Sequence, residues 1–284
     1  MIAGTAAALF AGASVAGTTS YKYDELGRIA QVSNVNGTTT YYTYDADNVL
    51  VETDTVASGT TLIWVTAASN LRTLANNAGY TGASPGNYQF NVAPGVTLMG
   101  TAGAGKGIDT GTWPSGSTIT LIVSGNVYGG GGTGGAGSSV SNGSPGNAGG
   151  DAIYVQTPIT ITVNASGSVK SGGGGGGGGG KQVSGNVGGD GGGGGFPNGA
   201  GGAGSSGIAG DPAVAGSPGT TSGGGHGNGT PAGGNGGDAG QPGLTGAAGS
   251  GFVGGAGGAA GYAIRKNGNT VTYTTSGTVN GTVG

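Results

Sequence analysis

The sequence predicts a mainly β protein with irregular glycine-rich structure: short strands, a bundle of polyglycine II helices and one short α-helix. Glycine fills 77 of the 284 positions, including an unbroken run at 172–180. Alternating β-branched segments stand on both sides of the glycine-rich stretch 129–261. A long α-helix would lose about 1 kcal/mol per glycine relative to alanine, so this stretch is either disordered or needs its glycines.

Order is favoured by the charge and by the flanking strands. Charged residues make up 7% of the chain and the formal net charge is −3, so charge repulsion does not keep the chain open. Segments 119–127, 159–169 and 271–279 each read as an alternating strand, a Ser-Gly corner and a second short strand. We expect these strands to anchor the ends of the glycine-rich region.

An ordered glycine region needs partners for its backbone. A polyglycine II helix has three residues per turn and no internal hydrogen bonds, so its N–H and C=O groups must pair with neighbouring chains. Glycine lets those chains approach closely. Glycine occupies every third position at 204–210 and again at 237–249. The first of these patterns ends at Ala213, where the next glycine would stand. That break favours short helices joined by turns over a collagen rod.

The turns between such helices should carry the residues that interrupt the glycines. Side chains cannot enter a core made of backbone, so we expect aromatic and polar side chains to be displayed at the ends of the bundle. The predicted receptor contacts are Phe196, Pro197, Asn198, Asp211, Val214, His226, Asn228, Gln241, Leu244 and Phe252.

The one predicted α-helix lies at 69–80, where Asn70 or Ser69 can cap its start and Gly79 can end it. The domain organisation predicted from these patterns is an apolar N-terminal arm at 1–20, a β-module at 21–56, a β-rich attachment domain at 57–128, the glycine bundle at 129–261 and closing strands at 262–284.

Two neighbouring segments read alike near the N-terminus. Each begins with Tyr-x-Tyr-Asp, at Tyr21 and at Tyr42, and continues through an Asp-initiated turn into a second strand. They resemble the YD repeats of Rhs and teneurin-type proteins, which implies β-hairpins. The first charged side chain of the sequence is Lys22, after the arm at 1–20, and we expect this arm to dock onto a neighbouring subunit rather than to enter a membrane.

Catalytic and metal-binding patterns are scarce. The chain has no cysteine and one histidine, His226, so neither a thiolate site nor a pair of histidine ligands can form. Eight Lys and Arg residues and a pI of about 4.8 argue against nucleic-acid binding. We therefore expect no enzyme activity, no cofactor and no bound metal.

Three motifs follow one another between 63 and 284. They are NLRTLANNAGY, then ITLIVSGNVYGGGG, then ITITVNASGSVKSGGGGGGGGG. Their order resembles that in the glycine-rich tail-fibre and tail-tip adhesins of tailed bacteriophages. The resemblance implies an extracellular virion protein that recognises a host outer-surface protein or glycan. It also implies contacts with other phage tail proteins, in a homotrimer or as a monomer.

A purely structural filament subunit is the alternative function. In that case the glycine-rich region would mediate assembly and would bind no receptor. The positions of Phe196, His226 and Phe252 distinguish the two. Joint exposure at a distal end favours recognition, and burial between subunits favours assembly.

Overall fold

The computed structural model describes residues 3–4, 18–44, 47–57, 59–183, 186–207 and 212–284. Most of the predicted N-terminal arm and the predicted contact Asp211 lie outside these ranges. The chain forms two compact units, Met1–Leu62 with Asn87–Gln89, and Ile63–Gly86 with Phe90–Gly284. The described residues are mainly β, as expected, and they contain one short α-helix.

The first unit is an antiparallel five-stranded sheet in sequence order. Its strands are β1 (Ala3–Gly4), β2 (Ser20–Tyr23), β3 (Ile29–Ser33), β4 (Thr38–Tyr44) and β5 (Leu50–Ala57). Asp24 forms the predicted turn, because its Oδ1 accepts hydrogen bonds from the N–H groups of Leu26 and Arg28. Arg28 also donates to Asn48 at 2.7 Å, so the two sequence repeats are joined at their turns.

Three further sheets of short strands belong to the second unit, apart from the first residues of β6 and β8, which belong to the first unit. Their order is β17-β14-β11-β8-β6, β18-β15-β12-β9 and β19-β16-β13-β10-β7. The strands are β6 (Thr61–Trp64), β7 (Ser69–Asn70), β8 (Asn87–Val92), β9 (Thr97–Met99), β10 (Ile108–Asp109), β11 (Thr118–Val123), β12 (Asn126–Tyr128), β13 (Ile153–Tyr154), β14 (Ile159–Val163), β15 (Ser168–Lys170), β16 (Tyr262–Arg265), β17 (Val271–Thr275), β18 (Thr278–Asn280) and β19 (Thr282–Val283).

These strands wind as a parallel β-helix. The chain visits the three sheets in turn, and each strand from β9 to β16 pairs in parallel with the equivalent strand of the next coil. Thr160 lies beside Thr272, and Val163 beside Thr275, so the segments with the repeated Ser-Gly corner stack in register. Sequence similarity between the repeats therefore reflects equivalent positions on successive coils.

Apolar side chains stack inside the coils. Val127 lies between Leu98 and Val169 in one sheet, and all three are fully buried. Ile108, Ile153 and Ile264 form a comparable buried set in another sheet. Each fully buried side chain of this size contributes about 1.5–3 kcal/mol through burial. The β-helix thus has a conventional hydrophobic core, unlike the glycine-rich region, where most residues have no side chain.

The helix α1 (Leu71–Asn77) confirms its prediction. Asn70 is the N-cap, and its side chain accepts a hydrogen bond from the N–H of Thr73. Leu71 and Ala75 are buried, and Gly79 follows the helix end with a positive φ of 98°. Capping and amphipathicity are local properties, which is why the sequence predicted this element correctly.

The glycine-rich chain leaves the β-helix twice. The first excursion runs from β12 to β13 and the second from β15 to β16. Between them, residues 153–170 return to the β-helix as β13, β14 and β15. The predicted bundle at 129–261 is therefore built from two excursions rather than from one continuous segment. Both excursions begin after a strand of one sheet (β12 or β15) and end at a strand of another (β13 or β16). Their ends therefore lie side by side.

Candidate functional site

Segment 172–180 is the centre of the glycine bundle. Every N–H group in it donates a backbone hydrogen bond of 2.8–3.1 Å, and the partner segment changes with each residue. Gly172 donates to Gly150, Gly173 donates to Phe196, and Gly174 donates to Gln241. The same order repeats every third residue through 180, so three neighbouring segments receive hydrogen bonds from this one chain.

Three other segments donate to the carbonyl groups of the same run. The carbonyl oxygens of 172, 173 and 174 accept from Gly261, Gly132 and Gly237, and this order also repeats every third residue. Segment 172–180 consequently has six neighbours. Segment 188–196 is surrounded in the same way and shares two of those neighbours with it.

These contacts arrange the bundle in three layers. One outer layer contains 129–138, 143–150 and 199–207. The middle layer contains 172–180, 188–195, 212–219 and 252–261. The other outer layer contains 223–228, 232–238 and 241–249. Backbone hydrogen bonds join the segments within and between layers.

Close approach of the backbones explains the glycines. A Cβ atom added at Gly176 would lie 2.0 Å from the carbonyl oxygen of Gly234, and one added at Gly177 would lie 1.8 Å from that of Gly255. Such separations are far shorter than any real carbon–oxygen contact. The glycines of the middle layer are therefore required by packing.

Turns at the two ends of the bundle face different surroundings. The chain alternates in direction, so turns 196–198, 220–222 and 239–240 lie at the end near the β-helix. Loops 138–142, 228–231 and 249–252 lie at the opposite end, which we call the distal end, as do residues 181–183 and 186–187. Asn198 marks the near end, because its side chain donates to Gly100 O and accepts from Gly131 N–H, both at 2.9 Å.

Three predicted contact residues lie at the near end and are not displayed. Phe196 is 2% exposed and packs on Tyr128, with ring centroids 5.4 Å apart. Pro197 is also buried, and Asn198 is half-buried. The expectation that Phe196 is exposed is wrong, because its turn packs against the β-helix. Its role is to anchor the bundle through apolar contact.

The distal end gathers exposed apolar side chains. We call Val140, Val183, Phe252 and Val253 the distal patch. The three valines are 74%, 57% and 60% exposed, and Phe252 is half-buried. Of these residues the sequence predicted Phe252 alone. The signal for Val140 and Val183 was a solitary valine in a polar interruption of the glycines, whereas Val253 directly follows Phe252.

Hydrogen bonds between loops hold the distal patch together. Lys181 N–H donates to Ser141 O at 3.2 Å, which joins the first two loops. Val183 N–H donates to Ser250 Oγ, and Val253 N–H donates to Asn142 Oδ1, both at 3.0 Å. The loops therefore form one connected surface although they are far apart in sequence.

Asp190 ties two further distal segments to the bundle. Its carboxylate is 4% exposed and accepts from the N–H groups of Val214 and Thr230 at 2.8 and 2.9 Å. Val214 and Asn228 are both half-buried here, and Asn228 donates to Ala215 O. Two more predicted contacts thus lie at the distal end.

The remaining predicted residues meet on a side of the bundle. His226, Gln241 and Leu244 line a shallow groove of about 380 Å³ on the outer layer 223–249, which we call the lateral groove. The structure therefore separates Phe196, His226 and Phe252 into three places. The predicted joint display of these residues does not occur.

The described ranges contain no candidate for a membrane-spanning helix or for a cluster of metal ligands. None of the helices there has the length and hydropathy required to cross a bilayer. The same ranges contain no group of three or more His, Cys, Asp or Glu side chains placed to hold a metal ion.

Both the sequence and the fold of this chain are similar to those of known proteins. Residues 59–284 match the family described as "Phage tail fibre adhesin Gp38". The chain is also similar to a solved structure, "Crystal structure of the gp37-gp38 adhesin tip complex of the bacteriophage S16 long tail fiber". It has 27% sequence identity and a TM-score of 0.54, over 81% of this chain and 84% of that chain. No curated protein matches the sequence. Since the family match spans most of its length, this chain belongs to the Gp38 family of phage tail fibre adhesins, extracellular components of the virion tail that serve host attachment.

Proposed function

We propose that this adhesin attaches to the host cell through the distal patch, which contacts an outer-surface protein or glycan. The observation that carries the proposal is the gathering of exposed Val140, Val183 and Val253 on loops that hydrogen bonds join. Apolar side chains displayed together on an otherwise polar surface are typical of interaction sites. A binding role without catalysis fits this arrangement.

The rigidity of the support favours recognition by these loops. We infer that the glycine segments are polyglycine II helices, because their hydrogen-bond partners rotate with a period of three residues. Loops held at both ends by such a scaffold lose little conformational entropy on binding, which increases affinity.

The attachment of the adhesin to the phage is the second part of the proposal. The solved relative is a gp37-gp38 complex from a long tail fibre. By this likeness, the second unit of the present chain joins a tail fibre protein. We further propose that 21–56 is a YD-repeat-like β-module, supported by the strands and the Asp24 turn described above.

Competition for host cells tests the proposed function. Purified full-length protein, added to host cells before the phage, should reduce phage adsorption in a saturable manner. The matched control is the same concentration of heat-denatured protein. If the folded protein neither binds the cells nor reduces adsorption, host recognition by this chain is refuted and the structural-subunit alternative is favoured.

A further inference from the structure

The lateral groove is built by two rows of side chains on three adjacent segments. His226, Asn235 and Leu244 form one row, and the backbone bond from Leu244 N–H to Asn235 O at 2.8 Å fixes their spacing. Asp238 and Gln241 form the other row, where Gln241 N–H donates to Asp238 O at 2.9 Å. Glycine backbone forms the floor between the rows.

Backbone hydrogen bonds fix two of these polar side chains. Asp238 Oδ1 accepts from Gly224 N–H at 2.9 Å, and Asn235 Oδ1 accepts from Gly227 N–H at 3.0 Å. Among the hydrogen bonds of the described residues, Asp238 Oδ2 and Asn235 Nδ2 have no partner within the chain. One fixed acceptor and one fixed donor are therefore available to a ligand in the groove.

The chemistry of the lining selects the class of ligand. No Lys or Arg is among the described residues that line the groove, and Asp238 contributes a negative charge. An anionic ligand such as a phosphate or a sialic acid is therefore disfavoured. Carboxylate and amide groups bond well to vicinal hydroxyls, while Leu244 and the His226 ring can pack on the C–H face of a sugar.

We propose that the lateral groove is a binding site for an uncharged hexose unit of a surface glycan. The site is separate from the distal patch and lies on a different face of the bundle. It rests on the proposed function only for the source of the glycan, the host surface. Binding of the sugar itself can be measured without host cells.

The uniqueness of His226 supplies a direct reporter. It is the only histidine in the chain, so its imidazole signals in a ¹H–¹³C spectrum of labelled full-length protein need no assignment. We expect D-glucose, D-galactose or N-acetyl-D-glucosamine, each titrated separately, to shift these signals in a saturable manner. Sodium phosphate, the charged probe, should produce no saturable shift.

Variants locate the binding in the groove. Gln241→Ala and Asp238→Asn should each weaken the affinity for the active sugar at least tenfold, and Asp238→Asn keeps an oxygen for Gly224 N–H. The matched control is the double variant Val183→Ser, Val253→Ser at the distal patch, which should leave the titration unchanged.

Three outcomes overturn the inference. They are the absence of a saturable shift with every neutral sugar, saturation by phosphate alone, and a shift that neither Gln241→Ala nor Asp238→Asn alters. Each of these leaves the proposed function standing, because adsorption through the distal patch does not require the groove. Conversely, sugar binding by a protein that fails to block adsorption supports the groove alone.

Discussion

The Asp151 carboxylate and the Arg265 guanidinium form a two-pronged ion pair at the exit of the glycine bundle. Nη2 of Arg265 lies 2.8 Å from Oδ1 of Asp151, and Nε bonds Oδ2. Asp151 also accepts from Tyr262 N–H at 2.9 Å. Asp151 ends the first excursion and Tyr262 ends the second, so the pair fastens both returning chains to one sheet of the β-helix.

Removing this pair should destabilise the second unit. Asp151 is 7% exposed, and Asp151→Ala leaves the half-buried Tyr262 N–H and Arg265 guanidinium without this acceptor. We expect a loss of about 2–3 kcal/mol in the free energy of unfolding, measured with denaturant. Arg28→Ala in the more exposed Asp24 pair is the control, with an expected loss below about 1 kcal/mol. Equal effects of the two substitutions would contradict the fastening role.

Acid should weaken the second unit partly through Asp109. Burial raises the pKa of this carboxyl, but hydrogen bonds from Lys106, Gly111 N–H and Gln156 together outweigh burial and lower the pKa below its ordinary value of 3.8. A lowered folded-state pKa stabilises the protein above the ordinary value, and this contribution is lost as the pH falls through the folded-state pKa.

The acid dependence can be followed by tryptophan fluorescence, since both tryptophans, Trp64 and Trp113, lie in the second unit. Asp109→Asn should flatten the decline in stability below about pH 4, near the ordinary pKa of 3.8. Lys106→Ala, which removes one donor, should flatten it to a smaller extent. Curves parallel to that of the wild type would show that Asp109 does not contribute.

Phe196 should matter for stability and not for host binding. Its ring is buried against Tyr128, so Phe196→Ala is expected to cost about 3 kcal/mol of unfolding free energy. Host-cell binding at a temperature where the variant remains folded should be unchanged. Phe252→Ala is the matched control, with a smaller stability loss and weaker binding. Weaker binding by folded Phe196→Ala would contradict the anchoring role.

Local patterns predicted much of the fold. Alternation predicted the strands around Val123, Val163 and Thr275, and capping predicted α1 from Asn70. The stacking of these strands into a β-helix depends on register between distant segments, which a single sequence does not display. The local pattern therefore predicted the elements but not their arrangement.

The candidate site was less predictable for a physical reason. Phe196 and Phe252 both interrupt glycine segments, yet one lies at the near end and the other at the distal end. The end reached by each turn depends on the number and direction of all preceding segments. Val140 and Val183 were missed because the sequence around an isolated valine does not indicate at which end of the bundle its loop lies.

Replacing a glycine of the middle layer with any larger residue should destabilise the protein. Gly176→Ala would place a Cβ 2.0 Å from Gly234 O, and we expect a loss of at least about 3 kcal/mol or failure to fold. At Gly223 the nearest atom to an added Cβ is the Asp238 Oδ1 side-chain oxygen at 2.7 Å, which belongs to a side chain rather than to the backbone and can shift if its hydrogen bond from Gly224 N–H lengthens. Gly223→Ala, with unfolding measured in the same way, should therefore cost far less. Equal tolerance at both positions would contradict a backbone-packed bundle.

Host-cell binding by a distal-patch variant measures whether recognition occurs through the distal end of the bundle. The double variant Val183→Ser, Val253→Ser removes two exposed apolar contacts, and each is expected to contribute about 1 kcal/mol to binding. Binding of labelled protein to host cells should weaken at least tenfold, while Leu26→Ser in the first unit and Leu244→Ser in the lateral groove should each have a smaller effect. Unchanged binding by the distal variant would contradict recognition through this end of the bundle.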